Sequence, residues 1–331
     1  MSADIFVPES RPEDWDVGPL HLITLVTADP KGMARMLTEG FGLESDGFVP
    51  VAASAAAYLG MPEGAALQGA LFTRHGDPGN VRLRVLAVSE ECPQVRPAID
   101  GTYVGGLSVG FPMADLHRRH DDLAGKGITS TIGVKEMEFQ SPQGETYVSA
   151  EAHFTGPENL FFLGVSRPDV FVPVGPIDPK TGIGAPAYSA RCVRHSEGVV
   201  GFLRDVLGLE IRRDATFAVG ERSGLRLQEG SPERFVQAFA PGAATGYLVI
   251  LDHFEATKDS PAARLGPASR GLAMWTLPTS DLGAVYARVS AATGATVLRA
   301  PGVHGSPFLP EGVRSLIVED PGGFPIELFE S

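Results

Sequence analysis

The stretch VEDPGGFPIELFE, residues 318–330, closes the chain as a turn followed by a strand. The tetrapeptide DPGG at 320–323 has turn chemistry, because proline presets φ and glycine permits a positive φ. The segment 324–329 is rich in strand-forming apolar residues and is predicted to be a β-strand. Alternation places Glu327 opposite an apolar face made of Phe324, Ile326 and Leu328. Glu327 is therefore either a solvated side chain or a functional carboxylate on a concave sheet.

Glycines recur along the chain at a nearly constant interval, each after a helix-like apolar run. They are Gly42, Gly127, Gly208 and Gly294, with gaps of 85, 81 and 86 residues. A glycine just past a helix is the usual left-handed cap. The spacing predicts four copies of one supersecondary unit, in which a strand and a helix precede about three strands.

The overall composition excludes several classes of protein. The chain has 331 residues, a net charge of −13 and a pI of about 5.1. This charge argues against nucleic acid and against an anionic membrane surface as partners. No apolar run approaches the roughly 20 residues that span a bilayer, and the N-terminus shows no signal-peptide pattern. Two cysteines, Cys92 and Cys192, form no disulfide framework, so we expect a cytoplasmic protein.

The repeats and one proline-rich stretch divide the chain into halves. We expect an N-terminal extension at 1–17 and a first domain of two modules at 18–165. The stretch 166–187 contains five prolines and is predicted to be a linker, because proline prevents helix formation. A second domain of two modules follows at 188–331. Which modules pair to form a site is left open.

Two of these motifs, the helix followed by LGLE at 203–210 and the closing DPGGFPIELF, resemble the vicinal oxygen chelate superfamily. That superfamily comprises glyoxalases, bleomycin-resistance proteins and extradiol dioxygenases. The resemblance implies an α+β fold of four βαβββ modules that form two cup-shaped mixed β-sheet domains. Each cup of this family encloses a small ligand. Because two modules make one cup, a chain of four modules is expected to be a tandem two-domain member.

The same resemblance implies a position for a divalent metal, held by His or Glu on first strands and Glu or Gln on last strands. Here the positions match poorly, because only His21 and Glu327 are suitable ligands. Three or four ligands are normally needed. We therefore expect either no cofactor or a divalent metal held in part by these two residues.

Two hypotheses of function follow, both with a small molecule as the partner and a homodimer as an open possibility. The first is a metal-free protein that binds a small metabolite in a cup. The second is an enzyme of lyase, isomerase or dioxygenase type that acts on an anionic or aromatic metabolite. In the second, Glu327 would be the base or a metal ligand. Four other residues are candidates for ligand binding: Arg82, Arg84, Tyr188 and His153.

Overall fold

Two eight-stranded mixed sheets organise the molecule. The computed structural model describes residues 15–61, 67–74, 81–140, 146–167, 174–221 and 223–331. Most of the expected N-terminal extension, residues 1–14, and part of the expected linker, residues 168–173, lie outside these ranges.

The first two modules follow the predicted order of elements, with one addition. A short helix, α2, is inserted in the first module and was not predicted. The elements of the first module are β1 (Leu22–Thr27), α1 (Pro30–Arg35) with a π-helical turn (Met36–Gly40), β2 (Val49–Pro50), α2 (Ala53–Tyr58), β3 (Gln68–Phe72) and β4 (Arg82–Ala87). Those of the second are β5 (Gly105–Pro112), α3 (Leu116–Gly125), β6 (Lys135–Gln140), β7 (Thr146–Thr155), a 3-10 turn (Pro157–Asn159) and β8 (Phe161–Ser166).

The third and fourth modules repeat the βαβββ order. The elements of the third are β9 (Tyr188–Cys192), α4 (Ser196–Gly201) with a π-helical turn (Phe202–Val206), β10 (Glu210–Ala218), β11 (Pro232–Phe239), β12 (Tyr247–Asp252) and a 3-10 turn (Phe254–Ala256). Those of the fourth are β13 (Gly271–Thr279), α5 (Leu282–Ala291), β14 (Thr296–Val303), β15 (Arg314–Glu319) and β16 (Pro325–Glu330). The predicted α+β fold is confirmed.

Three of the four periodic glycines, Gly42, Gly127 and Gly208, directly follow the C-cap of their helix as predicted, whereas the fourth helix already ends at the extended Ala292. The φ angles of the four glycines are 67°, 79°, 73° and 80° at Gly42, Gly127, Gly208 and Gly294. A residue with a Cβ is strained in this left-handed conformation, so glycine is favoured directly after the first three of these helices. Gly294 lies in the turn that follows the fourth.

The strand order decides how the modules pair. One sheet has the order β14-β15-β16-β13-β1-β4-β3-β2 and joins the fourth module to the first. The other has the order β10-β11-β12-β9-β5-β8-β7-β6 and joins the third to the second. In each sheet the two opening strands pair antiparallel at the centre. The expected domains, 18–165 and 188–331, thus contribute one module to each sheet, and each cup is shared between the two halves.

The outer faces of both sheets meet the helices in one apolar core. Phe324, Ile326 and Leu328 belong to this core, as the alternation along the last strand predicted. The two sheets also approach each other closely, since a Cβ at Gly106 would overlap the carbonyl of Leu272. The part of the chain that is described contains no helix long and apolar enough to cross a bilayer.

The closing turn also locks the two sheets together. The Asp320 carboxylate forms a buried ion pair with Arg191 of β9 and accepts hydrogen bonds from the backbone of Gly322 and Phe324. The Arg191 guanidinium lies over the ring of Trp275, whose Nε1 donates to Ser189 Oγ at 2.8 Å. The DPGG turn therefore stabilises the contact between sheets as well as the start of β16.

Candidate functional site

The concave face of the sheet from modules two and three encloses a cavity of about 670 Å³, which we call the open cup. Strands β5, β8, β9 and β12 form its floor. Residues 218–221 and 223–225 form part of its wall, where Gly224 packs against the ring of His153. Apolar side chains supply much of the floor: Leu107, Leu163, Ala190, Val249 and Leu251. Cavities of this size and lining are typical of small-molecule sites.

A ladder of rings crosses the strands at one end of the open cup. Tyr188 stacks on Tyr247 with ring centroids 4.9 Å apart, and Tyr247 stacks on Phe239 at 4.4 Å. The guanidinium of Arg212 lies over Phe239, 4.2 Å from its centroid. At the other end of this ladder the ring of Tyr188 covers the backbone of Gly110, where a Cβ would overlap the ring. Both faces of each tyrosine are thus covered, and the rings are held rigidly.

The wall of the open cup carries charges of both signs. Glu151 and His153 are two residues apart on β7 and lie on the same side, with Nε2 of His153 3.5 Å from Oε2 of Glu151. In total, three basic side chains face four carboxylates, namely Lys135, Arg167 and Arg213 against Glu138, Glu151, Glu221 and Glu233. The charge of the wall is therefore nearly balanced.

One carboxylate of the wall, Glu233, has a buried histidine behind it. Oε2 of Glu233 lies 3.2 Å from Nδ1 of His253, without the alignment of a hydrogen bond. Burial opposes the charged imidazole, whereas the neighbouring Cys192 and Glu233 favour it, and together they raise the pKa of His253 to about 10. The raised pKa favours the charged form of His253 beside the Glu233 carboxylate.

The concave face of the other sheet, from modules one and four, is filled by its own side chains, and we call it the closed cup. At its centre NH2 of Arg84 donates to Oε2 of Glu327 at 3.0 Å, and both side chains are 0% exposed. Thr276 Oγ1 donates to the same oxygen at 2.9 Å. Arg84 also donates to Thr24, Ser306 and the carbonyl of Pro307. The carboxylate is thus held in a buried ion pair.

The inserted helix α2 covers this ion pair. Tyr58, at its end, donates to Ser315 Oγ at 2.8 Å and stacks on His304. Burial and the nearby Glu327 carboxylate raise the pKa of Tyr58. Helix α2 and the loop around Ser306 therefore take up space in the concave face that a ligand would otherwise occupy.

The residues predicted from the sequence fall into the two cups. Tyr188 and His153 lie on the wall of the open cup. Arg84 and Glu327 lie inside the closed cup, and His21 lies at its edge, against Arg82 and the ring of Phe329. The part that each plays in binding or catalysis stays a prediction.

The structure also adds two residues to the candidates, Tyr247 and Glu151. Tyr247 begins a fully buried strand, and its sequence gives no sign that it differs from ordinary core. Glu151 did carry a signal, because a position two residues before His153 lies on the same face of a strand.

A family-type metal centre does not fit the side chains of the closed cup. The Glu327 carboxylate already accepts from a guanidinium, and the guanidinium of Arg82 contacts Nε2 of His21. Burial, Arg82 and Arg84 lower the pKa of His21 to about 4. Within the described ranges, no three His, Cys, Asp or Glu side chains are grouped so that they could hold a metal ion.

Comparison with known proteins agrees with this fold. Residues 186–328 match the family model of the Glyoxalase/Bleomycin resistance protein/Dioxygenase superfamily. No curated protein matches the sequence.

Solved structures with the same fold cover nearly the whole chain. Glyoxalase I from Zea mays superposes with a TM-score of 0.63 over 94% of this chain and 92% of its own, at 15% identity. A variant of that enzyme gives a TM-score of 0.65 over 99% and 97%. A putative dioxygenase from Bacillus subtilis gives 0.56 over 96% and 86%, at 16% identity. At such identities the likeness concerns the fold alone.

Proposed function

We propose that this chain binds a small metabolite in the open cup. It belongs to the Glyoxalase/Bleomycin resistance protein/Dioxygenase superfamily, whose family model matches residues 186–328. The observation that carries the proposal is the contrast between its two cups. One encloses about 670 Å³ over a largely apolar floor. The other is occupied by a buried ion pair and an inserted helix. A duplicated fold that fills one concave face with its own side chains leaves the other for a ligand.

Two variants with the same substitution test this location. Ala190→Phe adds a ring on the floor of the open cup, where Ala190 is almost fully buried against the cavity. Ala284→Phe adds the same ring on the exposed side of α5 and serves as the control. Aromatic acids, aromatic ketones and thioesters are screened by thermal shift, since a ligand at 100 times its Kd stabilises the folded state by about 2.7 kcal/mol.

We expect a compound that raises the melting temperature of the wild type and of Ala284→Phe to lose at least tenfold in affinity for Ala190→Phe. Circular dichroism checks that the variant is folded. Unchanged affinity in a folded Ala190→Phe protein would move the site out of the open cup. A screen in which no compound raises the melting temperature would count against the binding function itself.

An enzyme of lyase or isomerase type is the second candidate, and one observation favours it. Glu151 and His153 stand together on the cavity wall, so a carboxylate that could accept a proton has an imidazole 3.5 Å away. Glu327, by contrast, is enclosed in the closed cup. In this candidate the open cup, not the closed one, supplies the base.

Proton exchange tests the second candidate without knowledge of the full reaction. Each compound that binds is incubated with the protein in D₂O, and uptake of deuterium at carbon is followed by mass spectrometry. Exchange that is lost in Glu151→Gln and kept in Glu327→Gln would support catalysis in the open cup. Absence of exchange for every bound compound would leave binding as the function.

The proposal includes a protein that works in the cytoplasm without a metal cofactor, as a monomer or a homodimer. Metal analysis of the purified protein by mass spectrometry checks for a bound metal. Native mass spectrometry checks the oligomeric state. A stoichiometric divalent ion whose removal abolishes ligand binding would contradict the metal-free part of the proposal.

A further inference from the structure

Two hydroxyl groups of the open cup have no hydrogen-bond partner in the part of the chain that the structure describes. Tyr188 and Tyr247 line the cavity, and their side chains are almost completely buried, with residue exposures of 7% and 3%. Among the described residues, neither hydroxyl donates or accepts a hydrogen bond. The two hydroxyl oxygens are not among the fully buried polar atoms that lack a partner, so both reach the space of the cavity. A ligand in the cavity can therefore form hydrogen bonds to them that no protein group supplies.

The surroundings keep these two hydroxyls in place. Tyr188 and Tyr247 are register partners in a parallel pair of strands, and their rings stack with an angle of 17° between their planes. Gly110 supports one end of the pair and Phe239 the other. Donors held in this way need little reorganisation when a ligand binds, which favours affinity.

Both phenols remain protonated at any physiological pH. Burial is the main cause that raises the pKa of Tyr188, and the neighbouring Tyr247 and Glu151 add to it. Burial likewise raises the pKa of Tyr247. A neutral phenol donates its proton to an acceptor such as a carbonyl oxygen.

The rest of the wall indicates what the acceptor belongs to. Three basic side chains against four carboxylates leave no excess of positive charge for an anionic ligand. Bringing a charge into a cavity without a matching counter-charge is costly. The apolar floor favours a molecule that is mostly hydrocarbon.

We propose that Tyr188 and Tyr247 together donate to a carbonyl oxygen of a neutral, largely apolar ligand in the open cup. This inference rests on the proposed binding function and adds the chemical class of the ligand. The carbonyl faces the end of the cup that holds the ring ladder. The hydrocarbon part lies over Leu163, Ala190 and Val249.

Matched probes separate the hydrogen bond from the apolar contact. 2-Acetylnaphthalene carries the carbonyl, and 2-isopropenylnaphthalene has a methylene group in place of its oxygen. 2-Naphthoate carries a charge on the same ring system. Dissociation constants are measured by calorimetry for the wild type, for the double variant Tyr188→Phe/Tyr247→Phe, and for Tyr103→Phe, which removes a hydroxyl outside the cavity.

The quantity of interest is the ratio of the two neutral dissociation constants, hydrocarbon over ketone. We expect this ratio to fall about tenfold in the double variant, which corresponds to the loss of a single buried hydrogen bond. Affinity for the hydrocarbon should stay the same or increase. Tyr103→Phe should leave the ratio unchanged. Because the lost hydroxyls have no partner in the protein, the double variant should unfold at the same urea concentration as the wild type or at a higher one.

Each other outcome has a definite meaning. A ratio that is the same in the wild type and the double variant overturns the carbonyl assignment, while binding of both probes that is lost in Ala190→Phe would uphold the proposed function. Tighter binding of 2-naphthoate than of the ketone overturns the neutral class. Failure of all three probes to bind the wild type contradicts this inference, and failure of the wider screen as well contradicts the proposed function.

Discussion

Glu327→Gln should destabilise the protein strongly and leave ligand binding in the open cup unchanged. The substitution keeps the shape of the side chain and removes its charge. NH2 of Arg84 lies 3.0 Å from Oε2 of Glu327, and both side chains are fully buried. Glutamine would leave a buried guanidinium without a counter-charge, which is far more costly than the loss of an exposed ion pair.

The magnitude follows from the contacts around Arg84. At 3.0 Å and an effective dielectric constant of about 20, the attraction between the two charges is about 5.5 kcal/mol. Arg84 keeps hydrogen bonds to Thr24, Ser306 and Pro307, which solvate part of its charge. We therefore expect a loss of about 3 kcal/mol, near the lower end of the range for a broken buried pair.

Urea unfolding followed by circular dichroism measures this loss, and the same strand offers a matched control. Glu330 pairs with Arg314 at 3.3 Å at the surface, so Glu330→Gln should change the free energy of unfolding by no more than about 0.5 kcal/mol. The double variant Arg84→Met/Glu327→Leu should recover much of the loss, because no uncompensated charge then remains.

Two results would refute this reasoning. One is a Glu327→Gln protein as stable as Glu330→Gln, which would mean that the pair is hydrated or absent. The other is a stable Glu327→Gln protein that no longer binds the ligand of the wild type. That result would return Glu327 to the role of a functional carboxylate and relocate the site to the closed cup.

Three further predictions concern other parts of the molecule. The pKa of His21 is lowered from 6.5 to about 4, so the unfolded state takes up a proton at a higher pH than the folded state does. The free energy of unfolding should therefore fall by about 3 kcal/mol as the pH drops from 6.5 to 4. Urea unfolding of His21→Gln across this range should show a smaller fall. Asp320→Asn leaves its buried arginine partner without a counter-charge and should lower the free energy of unfolding by about 3 kcal/mol, again measured in urea. Gly110→Ala places a methyl group against the ring of Tyr188 and should cost about 1–3 kcal/mol and weaken ligand binding, whereas Gly125→Ala, which meets open space, should do neither in thermal-shift titrations.

The sequence was sufficient for features that depend on a few neighbouring residues. The four periodic glycines with positive φ were found from their spacing and the apolar runs before them, because glycine is the usual residue where the chain turns after a helix. The inward and outward faces of the last strand followed from its alternation, which is a local property of an extended chain. Helix α2 was missed because its run of small residues has no periodic apolar face.

The pairing of modules and the burial of Glu327 in an ion pair depend on contacts between residues far apart in the sequence. β1 pairs with β13, about 250 residues away in sequence, and nothing local to either strand names its partner. The sequence left Glu327 as either a solvated side chain or a functional carboxylate on a concave sheet, whereas in the structure a guanidinium 243 residues away neutralises it. Likewise Tyr247 joined Tyr188 as a site candidate only when parallel pairing brought their rings together. Alternation and helix capping depend on short segments of sequence. Packing between segments that are distant in sequence decides which side chains lie in the same enclosed space.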